Sequence, residues 1–506
     1  MRTMRAMDAA FLAMERPDEP RHLGSVSIFA PTEHGPLTYD VVRSLLTERL
    51  GLIATARRVV VEVPFGLGRP SWAFDKRFDL EYHLRHTSLP AGGGMEALAD
   101  FIADTHARPL DRTHPLWELW VIDGLPDERV ALYAKIHMAA LDDVTGAEVM
   151  TALLDPDPAA VVHVQPASEH EDDGRNDPLQ LFFGALPDQL RQATKFPRRL
   201  VGRTVNTIGS SLAGMSDTIT ETIHRTPGME GLARLLPTPS SDEVVDDRAS
   251  GRAPMLSWNG PITGSRRFAT ATMSLDDIVE IKRRTGTTVN DVVVAVVAGA
   301  VRDWLDRHDE LPTSPTVALV PMLIGAAGGA DAHVAGLVVP LPTNVADPAE
   351  RLRRTSEALQ LAKQKRTAVP ASLMQDVSLF APPAVAALAG RLVGGMPHRS
   401  FASPTVNLAI TNVPGSREQM YLAGRPLEAN YPVLTINRLT PVHLGLQSSP
   451  GAINVGALSC RDTLDDLAPL VDRLDVELDA LDGATAPKRT RRTTSVASTG
   501  RRRRTR

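Results

Sequence analysis

The stretch His137-Met138-Ala-Ala-Leu-Asp142-Asp143 puts an imidazole and two carboxylates within seven residues, directly after a mostly apolar run from Val130 to Ile136. A neutral imidazole titrates close to neutrality, so it can take the proton from a hydroxyl while that oxygen attacks a carbonyl carbon. The apolar run reads as a buried strand, and Thr145-Gly-Ala-Glu148 is a capping box opening a helix through Met150 and Leu154. Residues 137–146 are therefore a strand-to-helix turn, a place where reactive groups often collect. Beside the histidine stands Met138, whose thioether is not a base at any biological pH.

At this turn the chain resembles the wax ester synthase/diacylglycerol acyltransferase family, within the CoA-dependent acyltransferases that carry the motif HHxxxDG. Alignment on Asp142 puts the motif's first His at His137, its second at Met138 and its Gly at Asp143. The resemblance implies that the second His is the general base for direct attack of an acceptor hydroxyl on the thioester of acyl-CoA. Such a base is typically worth about 10²–10⁴ in rate. With Met138 in that place, His137 and Asp142 are the remaining catalytic candidates. Asp142 is expected to be structural, and His137 at best a poor base, because neighbours on an extended segment point to opposite faces.

The elements that must position this turn also follow the family's order. Met7-Asp8-Ala-Ala-Phe11-Leu12-Ala-Met-Glu15 precedes an alternating strand, Val26 to Phe29. Arg57 to Val63 is β-branched and strand-like, Trp72 to His83 matches a further family block, and residues 95–107 carry one apolar helical face. His114-Pro115-Leu116-Trp117-Glu118 resembles the family's PLW motif, where Trp117 is expected to be core. Trp120 to Asp123 and Val130 to Ile136 then read as neighbouring strands. In the second half Ser257-Trp-Asn-Gly-Pro261, the Asn290-Asp291 pair, Leu337 to Asn344 and Asn412-Val-Pro414-Gly415 resemble family segments. Asn290, Asp291, Asn412, Pro414 and Gly415 are the substrate-binding or structural candidates. Thr288-x-x-Asp291 is a helix-start signature, so fixing that start is the first role expected of the pair. Asn412 suits a hydrogen bond either to a ligand or to its own turn. Met322-Leu-Ile-Gly-Ala-Ala-Gly-Gly stands where relatives tend to carry a polar, Arg-containing stretch, so Asp142 is expected to lack its usual Arg partner.

With 506 residues and 43% hydrophobic composition the chain can bury two substantial cores. The resemblance, which runs from Met4 to Leu481, implies an α/β fold of two chloramphenicol-acetyltransferase-like domains, each a mixed sheet with helices, with a substrate tunnel between them. Residues 1–155 form the first domain, 156–255 a linker and amphipathic helical connection, 256–483 the second domain, and 484–506 a disordered basic tail. The single cysteine, Cys460, excludes an intramolecular disulfide and suits a reducing compartment. Neither a leader's apolar region nor a membrane-length apolar run is present. The expected location is the cytoplasm, with contact at the inner membrane face or lipid bodies left open.

Charge is unevenly placed. Nine Lys/Arg and no acid lie in 488–506, leaving a net −14 on the remainder against −5 overall. Such a tail suits an anionic surface, each basic residue contributing about 1 kcal/mol near a charged membrane, or else is merely solvated. No aromatic interleaves it, so base stacking on nucleic acid has no support. Basic residues also accompany the apolar pattern of 179–223, which either touches a membrane or covers the protein's own core.

Three functions compete. One is an acyltransferase of low activity using acyl-CoA as co-substrate, with diacylglycerol or a long-chain alcohol as acceptor and neither metal nor cofactor. Another is a lipid- or acyl-CoA-binding protein that has lost the reaction. The third is an adaptor acting through the tail and the 179–223 helices.

Overall fold

The computed structural model describes residues 2–33, 35–50, 56–63, 69–141, 153–159, 253–324, 333–364, 369–370 and 404–487. Asp142, Asp143, the Thr145 capping box, the helices expected over 179–223, the apolar stretch 377–393, the Gly/Ala-rich stretch 326–330 and the tail from 488 lie outside these residues.

In the first part the chain forms β1 (Arg2–Thr3), α1 (Ala6–Met14), β2 (His22–Phe29), α2 (Tyr39–Arg49), β3 (Arg58–Val61), β4 (Ser71–Phe74), the single turn α3 (Leu80–His83), β5 (Leu84–Ser88), α4 (Gly94–Ala107), β6 (Trp117–Asp123) and β7 (Val130–His137). The second part forms β8 (Arg266–Ser274), α5 (Leu275–Thr285), α6 (Val289–Arg307), β9 (Thr316–Ile324), β10 (His333–Leu341), α7 (Pro348–Gln364), β11 (Val369–Pro370), β12 (Leu408–Val413), β13 (Tyr421–Leu422), β14 (Arg425–Val433), β15 (Val442–Ser449), β16 (Ala452–Cys460) and α8 (Leu467–Thr485).

Local chemistry explains most boundaries. Thr288 and Asp291 form the reciprocal capping box that starts α6, with Asp291 N–H donating to Thr288 Oγ1 at 3.1 Å and Thr288 N–H to Asp291 Oδ2 at 3.0 Å. Ser274 caps α5, and Gly286 ends it at a φ of 70°, a left-handed conformation that costs a glycine nothing. Helix α6 is apolar on nearly every side and is accordingly buried, packed against α7, α8 and the sheet beneath. The last helix begins at Leu467, after a turn in which Leu464 N–H is bonded to Cys460 O at 2.9 Å.

Two mixed sheets carry the architecture. The first has the order β13-β14-β2-β7-β6-β5, with β5 and β6 parallel. The second has the order β11-β10-β9-β12-β15-β16-β8, with β12 parallel to both its neighbours. A small third sheet has the order β1-β4-β3. Residues 1–155 do not build the first sheet alone. Strand β14 crosses from the second half to pair with β2, from Leu427 opposite Phe29 to Val433 opposite Gly24, with a bulge between Leu427 and Ala429. Asp155 bonds the backbone of Tyr421 in both directions at 2.8 Å, and its carboxylate is held by Arg49 at 2.7 Å. Both halves therefore meet around β2, beside the strand that ends at His137.

Candidate active site

Strand β7 ends at His137, and the chain turns at once into a 3₁₀ turn, Met138–Ala140. The expectation that positions 137 and 138 oppose each other across an extended segment therefore fails, because the extended backbone stops between them. His137 itself terminates the strand: its Nδ1 accepts the Ala139 N–H at 3.0 Å. That bond leaves the ring proton on Nε2, which lies 3.4 Å from Glu15 Oε1. The imidazole is 1% exposed. Met138, half-buried, donates its N–H to Arg21 O at 2.8 Å.

Glu15, the residue that closes α1, is the hub of this buried region. Arg112 Nη2 approaches its Oε2 at 2.8 Å, His22 Nε2 lies 3.4 Å from Oε1, and the Arg21 N–H donates to Oε1 at 3.3 Å. Burial pushes the Glu15 carboxyl upward, but hydrogen bonds from His137, His22 and Arg112 outweigh it and hold the group well below the usual carboxylate range. Burial lowers His22 to about 4 despite the opposing pull of Glu15. His106, edge-on to His22 at 6.0 Å and bonded to Tyr133 Oη at 2.7 Å, is also pushed well down by burial. One buried carboxylate thus faces a guanidinium and the two imidazoles of His22 and His137.

A cavity of about 680 Å³ opens beside this network, where β2 and β7 meet the ends of β12, β14 and the β15–β16 hairpin. Ile136 and Ala140, on either side of the degenerate motif, line it, whereas His137 and Met138 do not. Among the described lining residues there is no histidine. Lys135 and Glu118 form an ion pair in the wall at 2.9 Å, and Lys135 Nζ also donates to Thr105 O at 2.8 Å and Arg108 O at 2.7 Å, which uses all three of its protons. Burial lowers the Lys135 pKa, and Glu118 partly restores it. Trp117, expected in the core, is half-buried on the cavity wall, its Nε1–H bonded to Ala56 O at 2.8 Å.

The second-half candidates divide. Pro414 and Gly415 line the cavity, while Asn412 does not. Gly415 N–H donates to Ser448 Oγ at 3.0 Å, and a Cβ at this position would stand 1.9 Å from Ser448 O. Gly415→Ala must therefore displace the hairpin; we expect it to lower stability by about 1–3 kcal/mol in chemical unfolding. An unchanged unfolding curve would contradict this contact. Asn290 and Asp291 lie away from the cavity, at the start of α6, where Asp291 also accepts the Ser356 Oγ–H at 3.1 Å.

Glu15, His22, Arg112, Glu118, Lys135 and Gln447 were not legible as site residues. Glu15 and Glu118 do sit inside family-like blocks, but contacts such as Glu15 to Arg112, 97 residues apart, have no signature in local spacing.

Residues 4–293 match the wax ester synthase/diacylglycerol acyltransferase catalytic domain, and residues 332–482 match the C-terminal domain of that family. A Mycobacterium tuberculosis protein named a probable diacylglycerol O-acyltransferase, tgs2, is 30% identical over 501 residues, covering 96% of this chain and 99% of that protein. The O-acyltransferase WSD of Acinetobacter baylyi is 28% identical over 500 residues, covering 96% and 98%. The solved wax ester synthase/diacylglycerol acyltransferase of Marinobacter aquaeolei superposes with a TM-score of 0.65 at 26% identity, covering 96% of this chain and 99% of that one, which bears out the two-domain α/β architecture. With both domains matched in order, and a cavity where the two halves meet beside the motif, the chain belongs to the wax ester synthase/diacylglycerol acyltransferase family.

Proposed function

We propose that this protein transfers a fatty acyl group from acyl-CoA to diacylglycerol or a long-chain alcohol, slowly, because Met138 stands where the family carries its base. The observation that carries this reading is the cavity, which starts at Ile136 and Ala140 and is walled by both halves. In the step, the acceptor hydroxyl oxygen bonds to the thioester carbonyl carbon, the C–S bond breaks, and the departing thiolate takes the hydroxyl proton through solvent. Holding two substrates together accelerates such a step even without a base. The test is ester formation from labelled acyl-CoA by the purified chain: turnover above the protein-free rate supports the reading, and silence in both the natural chain and Met138→His overturns it.

A second reading, binding of acyl-CoA without turnover, is favoured by the lack of an imidazole among the described lining residues. It requires saturable acyl-CoA binding together with no ester product.

No described helix is long and apolar enough to cross a membrane. We assign the protein to the cytoplasm, with contact at a membrane or lipid-body surface through the basic tail. Co-sedimentation with vesicles containing anionic phospholipid is expected for the full chain and not after deletion of 484–506. Equal sedimentation of both contradicts the assignment.

A further inference from the structure

We propose that the side-chain amide of Gln447 is the hydrogen-bond donor that holds the carbonyl oxygen of the acyl group in the cavity. The inference rests on the acyl-transfer reading and assigns to that site a residue that neither the motif nor its neighbours contain.

Gln447 lies on β15 and lines the cavity. Its Oε1 is already taken, accepting the Asn430 Nδ2–H at 2.9 Å. Asn430 Oδ1 in turn accepts the Ser27 Oγ–H at 3.1 Å, and Ser27 is fully buried. The string crosses β2, β14 and β15 and so depends on both halves of the chain. A side-chain amide offers two N–H donors and an oxygen with two lone pairs, so with one lone pair engaged by Asn430 the free capacity of Gln447 is mainly that of a donor.

Most of the other side-chain N–H groups on the wall are committed. Lys135 is saturated by two carbonyls and Glu118, Trp117 Nε1–H goes to Ala56 O, and one of the two Asn430 Nδ2 protons goes to Gln447. Gln447 Nε2 meets no acceptor among the described residues. Its stem is also fixed in place. Val413 is its partner in the β12–β15 register, and a Cβ on Gly415 would sit 3.2 Å from Gln447 Cγ. The glycine of the Asn412-Val-Pro-Gly415 segment thus leaves room for this side chain.

The ligand chemistry follows from the donor. Two N–H groups without a partner call for an acceptor, which an acyl carbonyl supplies. A carbonyl oxygen only accepts, and burying it unpaired among apolar side chains costs about 1–3 kcal/mol. As the acceptor oxygen adds to the thioester carbon, negative charge grows on that carbonyl oxygen and the N–H bond to it strengthens. No proton moves to or from Gln447. The charge returns when the C–S bond breaks and the thiolate leaves.

The experiment uses the full chain and acyl-CoA carrying ¹³C at the thioester carbonyl. Difference infrared spectroscopy should show the bound carbonyl band at lower wavenumber than the free one. In Gln447→Leu and in Gln447→Glu, which keeps the shape and the acceptor for Asn430 but loses both donors, the band should return to the free position. In a Met138→His background, where turnover is easier to measure, both variants should lose about 10²–10³ in kcat with a smaller change in KM. Unfolding curves of each variant identify a mere folding defect, and the isosteric Glu variant carries the test if Leu fails to fold. Acyl-CoA that binds and reacts with the same band position and kcat in all three chains overturns this proposal alone. Absence of acyl-CoA binding by the natural chain overturns the acyl-transfer reading with it.

Discussion

In Met138→His, ester formation from labelled acyl-CoA is expected to exceed that of the natural chain by about 10²–10⁴-fold, the usual worth of a general base. The backbone at 138 need not change, since its N–H bond to Arg21 O and its place at the head of a 3₁₀ turn do not depend on the side chain. Ile136 and Ala140 on either side line the cavity while Met138 does not, so an imidazole introduced at 138 must turn toward that wall to reach an acceptor hydroxyl. Met138→Leu separates chemistry from packing. It keeps an apolar group of similar size and should stay within a few-fold of the natural chain. His137→Ala removes the acceptor of the Ala139 N–H and the ring beside Glu15, so its loss should appear in stability more than in kcat. Fast turnover by the natural chain that ignores position 138 would mean that proton transfer occurs elsewhere.

The second large effect is expected at Glu15. Its side chain is 7% exposed and faces Arg112, His22 and His137 together. Removing one member of a buried ion pair typically costs about 3–5 kcal/mol, and the lower end applies here because Arg112 keeps 36% of its side chain in water. Glu15→Ala should therefore lose about 3 kcal/mol in chemical unfolding, and the loss should be smaller at acid pH. The pH dependence has a definite sign. The Glu15 carboxyl titrates below its ordinary 4.5 in the folded chain, so its stabilisation is present above about that pH and is lost as the pH falls further. His22 has a folded value of about 4 against 6.5, so the unfolded chain takes up that proton first, and stability declines as pH falls from 6.5 to 4. The natural chain should accordingly weaken in two stages on acidification, the lower stage being absent from Glu15→Ala. A variant as stable as the parent at pH 7 would show that Glu15 is not the hub of this region.

Much of the scaffold was legible because its causes are short-range. The Thr288–Asp291 capping box, the helix at 94–107 and the apolar run of β7 are each set by residues a few positions apart. The site was only partly legible. His137 could be picked out by type and neighbourhood, yet its burial against Glu15 depends on α1 closing over the end of β7. Trp117 was read as core because its size and apolar ring dominate the local pattern, whereas the open cavity beside it exists only once β14 and β15 arrive from the second half.

Taken alone, the amino-acid order determined the family, the positions of most strands and helices, and the presence of sulfur where relatives carry an imidazole. Tertiary structure decided which groups meet. Ser27 and Asn430 are 403 residues apart, and they touch because β14 pairs with β2 in one register. Gln447 faces the cavity because β15 lies beside β12. Such contacts depend on sheet order and on a bulge, and a shift of one residue would turn every side chain to the other face. Local propensity carries no record of that choice, because its energy comes from burial shared between segments that are distant in the chain.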